Sequence, residues 1–200
     1  MKILNFDTEI KLCIQGKDEE KDPVYEYCEG WKDHVSMGIS VLVAYASWLK
    51  KYIYFDENNL PAFIRLIAEA DLVIGFNIFG FDIALLKATL VRLGLPEKTG
   101  MAGKCYDILG NIRKETPTKG WSLDNIMQAT FGVGKSGKGA EAPRLWQDGK
   151  IAELYNYGTN DVMLSNMLWE HVYKGLPIMN DKGDSVILDG FMKWSENQSA

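Results

Sequence analysis

The apolar pattern of this chain changes character part-way along, and that change limits the fold more than any other feature. Residues 2–9 read as a strand with Ile3, Leu4 and Phe6 apolar on both faces, which predicts a central place in a sheet. After a polar, acidic stretch at 17–23, residues 37–46 and 51–55 read as two further strands, and their short connection predicts an antiparallel meander. Helix and strand then alternate. Residues 58–70 carry Leu60, Phe63, Ile64 and Ile67 at helical spacing, 71–76 form a short apolar strand, and 79–93 an apolar helix closed by Gly94 and Pro96. A fifth strand is expected at 104–108, and a helix over 123–131 with Ser122 as its N-cap. The longest helix is expected at 149–174, and a hairpin at 176–191 turning near Asp181-Lys182-Gly183. The expected class is α/β: a mixed sheet of three antiparallel strands followed by alternating strands and helices, flanked by helices. No repeat, low-complexity tract or Pro/Ser-rich linker divides the chain, so residues 1–200 are expected to form a single domain.

Composition removes several classes of protein. Hydrophobic residues at 46% and charged residues at 24% match ordinary globular chains and argue against disorder and fibrous repeats. No apolar run approaches the ~20 residues of a membrane helix, and the first residues lack the apolar core of a signal peptide. No membrane association is expected. Cys13, Cys28 and Cys105 contain no C-x-x-C, which argues against a disulfide framework or a cysteine zinc site and favours a reducing, cytoplasmic setting. The net charge of −5 by itself discourages nucleic-acid binding. It is unevenly spread, however: residues 1–34 hold five Lys against nine acids, and residues 104–144 hold seven Lys and Arg against four acids.

The informative acids are those that interrupt apolar faces. Asp7 and Glu9, two apart on one strand, point to the same side and repel unless a cation lies between them or water bathes both. Asp82 has Ile78, Leu85 and Leu86 one turn away, where an ionised carboxylate needs a partner, a metal or access to water. Leu154, Tyr157, Asp161, Leu164 and Leu168 share one face of the longest helix, so the Tyr157 hydroxyl and the Asp161 carboxylate can converge. A cation shared among these acids accounts for all three interrupted faces together.

Asp7-Thr8-Glu9, Asn77-Ile78-Phe79-Gly80-Phe81-Asp82 and Tyr157-Gly158-Thr159-Asn160-Asp161 resemble, in order and spacing, the three motifs of the DEDD superfamily of 3′–5′ exonucleases. These are D-x-E on the first strand, N-x-x-x-F-D after a later strand and Y-x-x-x-D on a late helix. The tyrosine resembles the branch that includes proofreading domains of many DNA polymerases. The histidine branch carries His five residues before the last Asp, where this chain has Asn156.

The resemblance spans about residues 1 to 175 and implies a ribonuclease H-like fold. It implies that Asp7, Glu9, Asp82 and Asp161 bind two divalent cations, Mg²⁺ or Mn²⁺, for which hard carboxylate oxygens are suited. Tyr157 is then expected to position the attacking water, Thr8 to offer its backbone N–H to the terminal nucleotide, and Asn77 and Phe81 to contact that nucleotide. The implied reaction releases nucleoside monophosphates from the 3′ end of nucleic acid, single-stranded DNA foremost. The competing readings are an RNA or short-oligonucleotide exonuclease, an endonuclease of the same fold, and a non-catalytic module that binds nucleic acid or a polymerase. A chain of this length leaves no room for a polymerase, so proofreading would require a separate partner; repair, recombination and phage roles are equally open.

Other features are less specific. Gly134-Lys135-Ser136 lacks the first glycine of a Walker A motif, since Ala129 stands there, and it follows a helix rather than a strand. The Gly-rich loop 132–139, with Lys135, Lys138 and Arg144, is either a plain surface loop or one that folds over a phosphate backbone. Trp121 reads as a core anchor in preference to a stacking surface, and Asp107 as a turn residue or a support to the acids.

Overall fold

The first strand, β1 (Ile3–Ile10), lies in the middle of a five-stranded sheet of order β3-β2-β1-β4-β5 in the computed structural model, which describes residues 1–17, 19–97, 99–101, 103–134, 137 and 139–188. Strands β2 (Ile39–Ala46) and β3 (Lys51–Phe55) continue from β1 as the expected antiparallel meander. A one-turn helix, α1 (His34–Met37), capped by the Asp33 side chain, which accepts the Ser36 N–H, precedes β2 and takes up Met37, where the strand was expected to begin. Helix α2 (Leu60–Glu69) buries Leu60, Phe63 and Ile67 as predicted. Strand β4 (Leu72–Gly75) is buried throughout and pairs parallel with β1.

Helix α3 (Asp82–Arg92) begins three residues later than the periodicity predicts. Asn77 adopts a left-handed φ of 66°, and Gly80 and Phe81 fold back on its carbonyl, so 79–81 form a turn. Strand β5 (Cys105–Asp107) pairs parallel with β4. Helix α4 (Ile108–Glu115) was not anticipated, since only Ile108, Leu109 and Ile112 are buried along it. Helix α5 (Leu123–Phe131) starts on the predicted cap, Ser122, whose side chain accepts the Asn125 N–H. Helices α6 (Ala142–Gln147) and α7 (Ile151–Tyr173) follow, then the expected hairpin, reduced to β6 (Ile178–Met179) and β7 (Ser185–Val186). The last residues assigned to that hairpin, 189–191, lie outside the described residues.

Helices cover both faces of the sheet. Leu4 and Phe6 of β1 join α2 and α3 residues in one core, including Phe63, Ile67, Leu85 and Leu86. Leu72, Ile74 and Tyr106 join Leu164, Leu168 and Trp169 of α7 in another. Three antiparallel strands extended by two parallel ones, with helices on both sides, make a mixed α/β sheet consistent with the ribonuclease H-like class. Among the described residues no helix is long and apolar enough to cross a membrane.

Candidate metal centre

Strand alternation sorts the side chains of β1 between two helices. Leu4, Phe6 and Ile10 enter the α2/α3 core, while Asn5, Asp7 and Glu9 lie on the opposite side, under α7. On α7, Leu154, Tyr157, Asp161, Leu164 and Leu168 are all buried, as the periodicity predicts. Ligand oxygens of Asp7, Glu9 and Asp161 lie within 4.8 Å of one another. Asp7 is half-buried, and Glu9 and Asp161 are buried.

Two neighbours hold α7 against the strand at this height. Asn5 is 1% exposed and donates its amide to Asn166 Oδ1 at 2.9 Å and to the Val162 carbonyl at 3.3 Å, while its own Oδ1 accepts the Ser165 hydroxyl at 3.4 Å. Gly158 makes the approach sterically possible: a Cβ there would stand 2.8 Å from Val43 Cγ2 of β2 and 3.9 Å from Glu9 Cγ. Any larger residue pushes helix and sheet apart. Neither Asn5 nor the glycine's packing role was read from the sequence. Asn5 did carry a signal, being a polar residue in an apolar strand on the same side as Asp7 and Glu9.

Asp82 takes a different position from the other acids. It is the first residue of α3, 3% exposed, and stands outside the three-carboxylate group. Thr8 donates its backbone N–H (2.9 Å) and its hydroxyl (2.6 Å) to Asp82 Oδ1. Thr8, whose N–H is expected to meet a nucleotide, turns its side chain to the α3 side of the strand, and its N–H is given to the Asp82 carboxylate. Burial pushes Asp82 up to about 7 even though the Thr8 hydrogen bonds oppose it, with Asp107 adding a further upward push. Asp82 and Asp7 line the same cleft.

Tyr157 is 5% exposed and faces the carboxylates. Burial, then the charges of Glu9, Asp161 and Asp7, push its phenol far above the usual range. It is a hydrogen-bond donor at neutral pH, and its donation to Asp161 contributes to that shift. Gly137 and Gly139 lie close to its ring: a Cβ on Gly137 would stand 3.4 Å from Tyr157 Cε2, and one on Gly139 3.8 Å from the hydroxyl. Lys135, Ser136 and Lys138 of that loop lie outside the described residues. Arg144 stacks over the Tyr25 ring at 5.3 Å, so its guanidinium is engaged by the 11–33 segment.

The turn carrying Asn77 and Phe81 is shaped by Asp107. Its Oδ1 accepts the N–H groups of Asn77 (2.9 Å) and Gly110 (3.1 Å), and its Oδ2 accepts that of Phe79 (3.0 Å). One buried carboxylate thus caps α4 and fixes the turn before α3, which makes Asp107 a support to the site and not merely a turn residue. Asn77 Oδ1 accepts a long hydrogen bond from Arg113 at 3.4 Å. The Phe81 ring packs against the α2/α3 core and meets the edges of Trp31 and His34.

A cleft of about 760 Å³ opens beside the carboxylates. It is lined by Asp7, Thr8 and Asp82, by Asn77, Phe81 and Trp31, and by Arg113, Lys119 and the N-terminus of α5. Trp121 lines it too, but is 5% exposed, donates its indole N–H to Thr118 Oγ1 at 2.9 Å and packs in the α7 core, as a core anchor should. The donor set of Asp7, Glu9 and Asp161 fits hard divalent cations: all ligand atoms are carboxylate oxygens, and their mutual repulsion is relieved by positive charge.

Among solved structures the chain is similar to the family B DNA polymerase from the hyperthermophilic archaeon Pyrobaculum calidifontis, with a TM-score of 0.64 and 20% identity. The match covers 86% of this chain and 24% of that one, so the chain spans about a quarter of the polymerase's length; the likeness is one of fold. No family model and no curated relative matches the chain.

Proposed function

We propose that the chain is a metal-dependent 3′–5′ exonuclease that hydrolyses phosphodiester bonds at the 3′ end of a nucleic acid and releases nucleoside monophosphates. The observation that carries this reading is the convergence of Asp7, Glu9 and Asp161 within 4.8 Å, from a central strand and a late helix, at the edge of an open cleft. The motif resemblance and the fold likeness to a DNA polymerase support it from two directions.

In this reading Asp7, Glu9 and Asp161 hold the cations, with Asp82 completing the set from the α3 side of β1. Bound Mg²⁺ or Mn²⁺ supplies activation of a water and stabilisation of charge on the departing 3′ oxygen. Tyr157, kept protonated by its burial and by the acids around it, orients a water by hydrogen bonding and is unsuited to remove its proton. Asn77 and Phe81, held by the Asp107 bracket, face the terminal nucleotide. Arg113 and Lys119 supply positive charge for phosphates on a chain whose net charge is −5.

The test is digestion of 5′-labelled single-stranded DNA and RNA with Mg²⁺ or Mn²⁺. A ladder shortening one nucleotide at a time from the 3′ end, abolished by EDTA and by Asp7→Ala, is the expected result. Internal cuts, or cleavage that survives EDTA, overturn it.

A further inference from the structure

Trp31 is 70% exposed, whereas Trp121 and Trp169 are buried in the core. Exposing so large an apolar ring is unfavourable unless something covers it. The ring is rigidly presented. It sits in a turn closed by Asp33 N–H to the Gly30 carbonyl (3.0 Å), and the Asp33 carboxylate accepts the Glu29 (3.0 Å) and Ser36 (3.2 Å) N–H groups. It meets the Phe81 ring edge-on, centroids 6.1 Å apart at 68°, and Phe81 is anchored in the core one residue before Asp82. Trp31 therefore shares the cleft with Asp7 and Asp82, and Arg113 and Lys119 line it too.

We propose that Trp31 is a base-stacking platform that selects an unpaired strand for this cleft, an inference that rests on the nuclease reading above. Among the residues of its own turn (Glu29, Gly30, Lys32 and Asp33) only Trp31 lines the cleft, so what the turn offers a strand there is a ring face. Arg113 and Lys119 line the same cleft. A strand lying in it can stack a base on Trp31 while its phosphates meet those two cations. A base inside a duplex has both faces covered by its neighbours and cannot use the indole, so the preference is for single strands, whatever the sugar.

The experiment is fluorescence anisotropy of 5′-fluorescein oligothymidylate with the full chain in EDTA, where binding is read without cleavage. A blunt duplex containing the same strand runs in parallel. Trp31→Ala is expected to weaken single-strand binding about tenfold, Trp31→Phe to restore it to within about threefold, and duplex binding to change less than twofold. Single-strand affinity unchanged in Trp31→Ala, an equal loss on the duplex, or no affinity of the native chain for the single strand overturns the proposal. The two readings fail separately. A chain that binds through Trp31 yet cuts nothing with Mg²⁺ or Mn²⁺ refutes the nuclease, and one that cuts with Trp31 irrelevant to binding refutes the platform.

Discussion

The two walls of the cleft are built by opposite means. The acid wall is set on the middle strand of the sheet and the longest helix, with Glu9 at 8% and Asp161 at 4% exposure and Asn5 tying one element to the other. Other parts of the cleft lining are exposed side chains on turns and helix ends: Trp31, Arg113 and Lys119. Charges that repel one another must be held by elements that cannot relax apart, whereas contacts to a flexible polymer tolerate a softer mounting. The comparison suggests that substitutions on the acid wall should affect chemistry, and those on the other wall affinity.

The largest break comes from Asp7→Ala, which is expected to lower the rate of 3′-end release by ~10³-fold or more while leaving the thermal midpoint within a few degrees. Time courses on labelled oligonucleotide, beside a melting curve, check both halves. Next in size, Tyr157→Phe is expected to cost about 10- to 100-fold and less than Asp161→Ala does, because it removes one donor and no charge. The reverse order in single-turnover rates contradicts a water-positioning role. Asn5→Ala sharpens the comparison further. It should weaken Mn²⁺ binding about tenfold without touching a ligand, since Asn5 sets the height of α7 over β1. Isothermal titration of the variant with Mn²⁺ measures this.

The smallest effect lies away from both walls. Glu57 joins Lys11 (3.0 Å), Arg92 (2.6 Å) and the Ile39 N–H (2.8 Å), tying the start of β2 to α3. Burial alone pushes its carboxyl up, but Arg92, the Ile39 N–H and Lys11 outweigh it and hold it below the usual range. A depressed carboxyl stabilises the fold above the ordinary Glu range and loses that contribution as pH falls from there through its depressed folded-state value. Glu57→Gln is therefore expected to lose about 1–2 kcal/mol at neutral pH and close to nothing at ~pH 3, read from urea midpoints. Equal losses at the two pH values contradict the ionic origin.

The same division explains what could be read from the sequence. β1 announces its central position because both its faces are apolar, and α7 announces its buried face because Leu154, Tyr157, Asp161, Leu164 and Leu168 keep strict spacing. Ser122 marks the start of α5 by its capping chemistry. The misses share a cause: the signal lay in a partner far along the chain. Asp107 reads as a turn residue or a support to the acids, and only Asn77 and Phe79, about thirty residues earlier, donating to it decide between the two. Helices α1 and α4 are short and carry little periodicity, so only their caps, Asp33 and Asp107, hint at them. Thr8 carries no local cue that its N–H and hydroxyl both go to Asp82, 74 positions along the chain. Trp31 sits in a polar, acidic turn with no pattern around it, and only its place at the mouth of the cleft gives it meaning.

The span between the two halves of the acid wall has a consequence for biosynthesis. Asn5 meets Val162 across 157 positions of chain, among the longest closures in the molecule. In synthesis Asp161 follows Glu9 by about 150 positions, so the carboxylate cluster assembles in one late step, when α7 docks on β1.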